Sequence, residues 1–226
     1  MKTFIFGLAT LAMATSTVSV PPAFAQAPAP TAVPAPQQSF EAGLYDQSLQ
    51  QIAEARTRGE AGPTETFLAA QAQLRRNDNE AARAEFAQLA AAGDDTWRLV
   101  AESSIALIDN NLDHASALAE QAVGAIAARN AAAPAPAAGP ADFAAHYQLG
   151  LVKARRGDWA GAGQAFEQSA ALNPTFAYAY YYAGNSWSRV RQVDRVALNF
   201  ERFLQLAPNA PERPAVMSIM RTVRGN

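Results

Sequence analysis

Apolar and small residues recur every three or four positions through most of this chain, and strict alternation is almost absent. That spacing predicts amphipathic helices and no sheet. Near the C-terminus, Val216, Ile219, Met220 and Val223 stand at i, i+3, i+4 and i+7, the stripe of a helix with one buried face. Leu112, Ala115, Ala119, Ala122 and Ile126 form another stripe, and Tyr45, Ser48, Ile52 and Ala55 a third. Two Pro/Ala tracts break the pattern, Gln26 to Gln38 and Ala131 to Pro140. Their prolines cannot continue a helix, and they hold no set of large apolar residues. The first is expected to be an extended spacer over 26–38, the second an exposed loop over 131–142.

The N-terminus follows a different logic. Lys2 precedes an apolar stretch from Phe4 to about Val20, and Ala23-Phe24-Ala25 supplies a small-residue cleavage site. This is the pattern of a secretory signal peptide over residues 1–25, cleaved near Ala25. The expected mature chain is exported, periplasmic or secreted. No later segment approaches the roughly 18 apolar residues that a membrane span requires. Cysteine is absent from the sequence, which excludes disulfides and thiol catalysis.

Internal repetition gives the periodicity a larger frame. Shifted by 34 residues, Leu149-Gly150 falls on Ala183-Gly184, Ala162 on Val196, Phe166 on Phe200 and Pro174 on Pro208. A small pair, an aromatic and a proline at one fixed spacing resemble the tetratricopeptide repeat family, a 34-residue helix–turn–helix. Full matches run over Phe143 to Phe176 and Ala177 to Ala210, where Trp187 and Phe203 also fit; Lys153 departs, standing where a large apolar residue is usual. Pro63 to Thr96 is a third repeat, with Ala69-Ala70, Ala82 and Phe86 in register and Asp94 in place of the proline. RRNDNEAARAEF (75–86) parallels RRGDWAGAGQAF (155–166). Trp97 to Asn130 is a degenerate repeat lacking the aromatic, and Leu44 to Arg58 matches only a second helix. The resemblance implies an all-α, right-handed superhelix of helical hairpins. Degenerate repeats would occupy 39–130, two clear repeats 143–210, and a capping helix 211–226.

Charge adds an asymmetry. Residues 26–142 carry 7 basic and 15 acidic side chains, and residues 143–226 carry 10 basic and 5 acidic. The C-terminal half therefore suits acidic or carboxylate-bearing partners, unless the two halves simply complement each other. Nucleic acid is not an expected partner of a net-acidic exported chain. No nucleophile elbow, phosphate-binding glycine loop or zinc spacing occurs. His114 and His146 stand 32 residues apart with no cysteine near, so no metal site, cofactor or enzymatic centre is expected. Asp94-Asp95 read as a helix start. The pairs Arg75-Arg76 and Arg155-Arg156 read as cations at helix C-termini.

The stretch YAYYYAGNSW (178–187) divides into two faces at 100° per residue. Tyr180, Ala183, Gly184 and Trp187 take the repeat's packing positions. Tyr178, Tyr181, Tyr182, Asn185 and Arg189 cluster on the opposite face. Tyr147, Leu151 and Arg155 are their counterparts one repeat earlier. In the family that the chain resembles, this face of the first helices lines a concave groove that holds extended peptides. Tyrosines offer rigid contact area with a polar tip, and Asn and Arg can bond a peptide backbone or a carboxylate. The two-carboxylate clamp known in the family needs Lys and Asn where this chain has Tyr147, Leu151, Tyr178 and Tyr182. Three readings follow: an exported interaction module binding a peptide or protein segment in this groove, an accessory subunit of a cell-envelope assembly using its outer faces, or, for this face, packing against the Pro/Ala insertion or the degenerate repeat.

Overall fold

The computed structural model describes residues 33–132 and 138–225. The expected signal segment, most of the expected spacer and the middle of the second Pro/Ala tract lie outside these residues. Among them the chain forms eleven helices and no strand. The helices pair into antiparallel hairpins: α1 (Ala35–Glu41) with α2 (Tyr45–Thr57), α3 (Pro63–Arg75) with α4 (Asn79–Ala92), α5 (Asp95–Ile108) with α6 (Leu112–Ala132), α7 (Asp142–Arg155) with α8 (Trp159–Leu172), and α9 (Ala177–Arg189) with α10 (Val193–Leu206). The last helix, α11 (Arg213–Arg224), covers α10 with Val216 and Met220 buried.

The packing code is visible at the glycines. A Cβ on Gly150 would lie 2.6 Å from the Phe166 ring, and one on Gly184 would lie 2.5 Å from the Phe200 ring. Each aromatic of a second helix therefore sits directly on the backbone of its first helix, and only a missing side chain leaves room. Gly163 does the same for Trp187 of the next hairpin, at 2.5 Å. Trp187 then donates its indole N–H to Glu167 at 2.8 Å, which also accepts from Asn199 of α10. In the third repeat Ala70 and Phe86 are both fully buried.

The turns repeat as well. Asn77, Asn110, Gly157 and Arg191 each have a positive φ between the helices of a hairpin, the left-handed step that ends a helix and reverses the chain. Glycine at 157 adopts it freely; Arg191 adopts it against its Cβ. Asp78, Asp94 and Asp158 then accept a backbone N–H of the helix that follows. Asp94 is thus the helix start read from the sequence. The degenerate repeat is a true hairpin whose second helix is stretched: α6 runs 21 residues where α4, α8 and α10 run 14. It carries the first part of the Pro/Ala tract as helix, through Ala132.

One expectation is corrected here. Residues 35–38, assigned to an extended spacer, open helix α1. Pro36 lies in the first turn, where its missing N–H has no intrahelical partner to lose. Phe40, fully buried against Tyr45 and Tyr178, gives this short helix its anchor. α1 is tied to the far end of the array. Gln37 donates to the Thr175 carbonyl at 2.9 Å, and Glu41 accepts the Ala177 backbone N–H at 3.0 Å. The superhelix is therefore wound tightly enough for its first hairpin to meet its last.

Candidate functional site

The first helices of four hairpins, α3, α5, α7 and α9, face the superhelix axis. Towards their N-terminal ends they carry Phe67, Trp97, Phe143, Tyr147 and Tyr178, and these rings meet. Phe67 lies 5.9 Å from Phe143 and 6.2 Å from Tyr147. Tyr147 contacts Phe176 at 5.2 Å and Tyr182 at 5.8 Å. Ring contacts run without a break from Phe40 through Tyr178, Tyr182, Tyr147 and Phe67 to Trp97. The edge-on pairs among them, such as Phe67 with Phe143 and Tyr147 with Phe176, contribute about 0.5–1.5 kcal/mol each beyond the area they bury. The axis is closed here.

Towards the C-terminal ends the same helices diverge around a cavity of about 560 Å3. α3 contributes Gln71, Leu74 and Arg75; α5 contributes Ser104, Leu107 and Ile108; α7 contributes Gln148, Leu151, Ala154 and Arg155. α9 adds Tyr181, Tyr182, Asn185, Ser186 and Arg189, while Asn79 and Trp159 close the rim from α4 and α8. The walls are largely carbon, and no Asp or Glu is among the lining residues.

Six of the eight residues expected on the groove face line this cavity: Leu151, Arg155, Tyr181, Tyr182, Asn185 and Arg189. Tyr147 and Tyr178 do not, and their assignment to an open binding face is corrected. They are 1% and 0% exposed. Both do point to the concave side, but α1 and α3 fold across it and turn that part of the groove into core. Tyr180, expected to pack, is only half-buried, its hydroxyl 3.5 Å from the Pro174 carbonyl.

Arg75 was missed as part of this site. It ends α3, but it reaches across the axis rather than resting on its own helix. It donates to Glu212 at 2.6 Å and to the Tyr182 hydroxyl at 3.1 Å, and its guanidinium lies 4.0 Å over the Tyr178 ring. The Tyr178 hydroxyl donates to the other Glu212 oxygen at 3.0 Å. Burial disfavours the Arg75 charge, yet the phenols of Tyr182, Tyr147 and Tyr178 and the Glu212 carboxylate outweigh it, so Arg75 is held above its ordinary pKa. Burial likewise raises the phenols of Tyr147, Tyr178 and Tyr181 and keeps them neutral. The register contained a signal for Arg75, because it occupies the position of Arg155 in an earlier repeat.

The floor is polar. Gln148 donates to Ser103 at 3.1 Å and accepts from Ser104 at 3.0 Å. Gln71, 4% exposed, has no partner for its side-chain N–H2 among the described residues. At the rim, Arg155 donates to the Asn110 side chain at 3.1 Å, and Arg189 stacks over the Trp159 ring at 5.2 Å. Neither forms an ion pair among the described residues. Asn185 donates to the Tyr181 carbonyl of its own helix. Of the two histidines, His114 is exposed and His146 half-buried, burial pulling the His146 pKa down while Asp142 pulls it up. Among the described residues no cluster of three or more His, Cys, Asp or Glu could hold a metal ion, and no helix is long and apolar enough to cross a membrane.

Comparison with solved structures settles the architecture. TTC0263, a thermophilic TPR protein of Thermus thermophilus, superposes with a TM-score of 0.51 over 84% of this chain and 96% of its own, at 17% identity. The chain has the fold of a tetratricopeptide-type helical repeat protein. A chain of the APC/C hetero-tetramer Cut9–Hcn1 matches with a TM-score of 0.52 and 12% identity; 83% of this chain aligns to 34% of that one. At such identities the likeness is one of fold. No family model matches the sequence, and no curated protein does. The cavity lies between the inner helices of this superhelix.

Proposed function

We propose that this tetratricopeptide protein is an interaction module that holds a peptide or protein segment in the cavity between α3, α5, α7 and α9. The observation that carries the reading is the cavity itself: about 560 Å3, in the range of ligand sites, apolar-walled, with a few placed polar groups. The lining supplies amides, arginines and tyrosines but no His, Cys, Asp or Glu, which suits binding rather than catalysis. The N-terminal signal pattern favours a partner in the cell envelope. The test fills the cavity. Ala154→Phe, on the lining, should keep the helical circular dichroism and abolish capture of envelope proteins by the purified mature chain. Capture that survives the filled cavity would overturn the reading.

A second reading, an accessory subunit that docks by its outer faces, draws on Val193 and Leu198 of α10 and Met217 of α11, which are 50%, 58% and 41% exposed. In that case Ala154→Phe would be silent and Leu198→Glu would release the partner.

A further inference from the structure

The geometry points to the chemistry of the segment that this cavity takes: a large apolar side chain flanked, within a residue or two, by side-chain carboxylates. The inference rests on the groove reading above and narrows it.

Three independent features of the lining carry it. The first is charge. Of the three lining arginines, Arg75 is neutralised by Glu212, whereas Arg155 and Arg189 form no ion pair among the described residues. With no acidic side chain on the lining, the rim is positive and favours an anion. The second is the wall. Leu74, Leu107, Ile108 and Leu151 present carbon to the interior, which suits an apolar side chain that leaves water. The third is the spare donor. Gln71 is buried, lines the cavity and has an N–H2 that is unpartnered among the described residues. A buried donor without an acceptor destabilises the protein, and a carbonyl oxygen of an entering peptide offsets that cost.

The placement of these groups chooses among anions. Arg155 and Arg189 stand on different helices, α7 and α9, and both are exposed at the rim, while the carbon walls and Gln71 lie inside. An extended segment can drop one apolar side chain inward, set its backbone carbonyl on Gln71 and keep its carboxylates outside with the arginines. Two separated cations fit side-chain carboxylates along a chain better than one terminal carboxylate. The basic excess of residues 143–226 has the same sign as this rim.

The test is selection of a random dodecapeptide library, displayed with both ends fused, on the full mature chain. The expected outcome is enrichment of segments in which Leu, Ile, Met or Phe lies within two positions of Asp or Glu. For an enriched peptide synthesised with blocked ends, Asp→Asn should weaken Kd about tenfold. Arg155→Ala with Arg189→Ala should weaken it similarly, and the remaining preference for Asp should vanish in that variant. Enriched peptides without acidic residues, or an Asp→Asn change that leaves Kd intact, overturn the carboxylate assignment and leave the groove reading standing. Enrichment only from a library with free C-termini does the same. Binding by neither library, or binding that Ala154→Phe does not abolish, overturns the groove reading itself.

Discussion

At the N-terminal ends of α3, α7 and α9 the superhelix axis is filled with aromatic rings, whereas at their C-terminal ends the same helices border a cavity of about 560 Å3. Both regions belong to the concave side, and a helical wheel assigns both to the same face. What separates them is the size and charge of the residues each helix carries along its length. Phe67, Phe143 and Tyr147 span the axis and meet; Leu74, Ala154 and Asn185 are too short to do so, and Arg155 and Arg189 keep their charges in water. The docking of α1 reinforces the difference, because Phe40 seals Tyr178 from solvent at the closed end. A concave position is available to a ligand only where nothing across the axis is long enough to fill it.

Truncating one residue at each end separates the two regions by their effect on stability. Phe67 touches Phe86, Trp97, Phe143 and Tyr147 and is 1% exposed. Phe67→Ala should cost about 3–5 kcal/mol. Arg189→Ala, at the exposed rim, should change stability by less than about 0.5 kcal/mol. Urea unfolding of both variants decides the point. Comparable losses would mean that the cavity rim is structural and the two ends do not differ in kind.

What the sequence disclosed follows the range of the contacts. Gly150 against Phe166 and Gly184 against Phe200 lie within one hairpin, so a shift of 34 residues exposes them. The degenerate hairpin of α5 and α6 was legible from the stripe of Ala115, Ala119, Ala122 and Ile126, all buried. The repeat fixes which helix face is concave, and six of the eight residues expected there line the cavity. The burial of Tyr147 and Tyr178 was not legible. It depends on contacts that span most of the chain, such as Arg75 with Glu212 across 137 positions. No local pattern records how tightly hairpins wind, because small angles between successive pairs add up over the array. Helix α1 was hidden by the prolines around it, although Phe40 is the one large residue that marks its buried face.

A smaller effect tests an ion pair that crosses the axis from the cavity lining. The side chains of Arg75 and Glu212 are 17% and 16% exposed and pair at 2.6 Å. Removing one partner strands the other's charge in a largely dry site. Arg75→Ala should cost about 3 kcal/mol, and Arg75→Met with Glu212→Leu should recover much of that loss. Denaturation of Arg75→Met, Glu212→Leu and the double variant forms the cycle. Additive losses would show that the pair does not couple α3 to the segment before α11.

The smallest effect concerns the docking of α1 and is set by pH. Glu41 is 3% exposed, and burial raises its pKa from the ordinary 4.5 to about 7, against the opposing hydrogen bonds from the Ala177 backbone and Gln37. A carboxyl group with a raised folded pKa binds a proton more readily in the folded chain than in the unfolded one. Its contribution to stability is fully present below the unfolded pKa and is lost as pH rises through about 7. Between pH 5 and pH 8 the folded protein should therefore lose about 2 kcal/mol through this group. Glu41→Gln keeps an oxygen to accept the Ala177 N–H and removes the charge. It should flatten that slope and leave stability at pH 5 nearly unchanged. Hydrogen exchange localises the effect: amides of α1 and of the first turn of α9 should open faster at pH 8 than at pH 5, after correction for intrinsic rates, in the native chain and not in Glu41→Gln. Amides lining the cavity, at the opposite end of the inner helices, should keep their protection at both pH values. If they loosen together with α1, the closed end and the open end are one cooperative unit, and a ligand in the cavity would then tighten α1 by the same coupling.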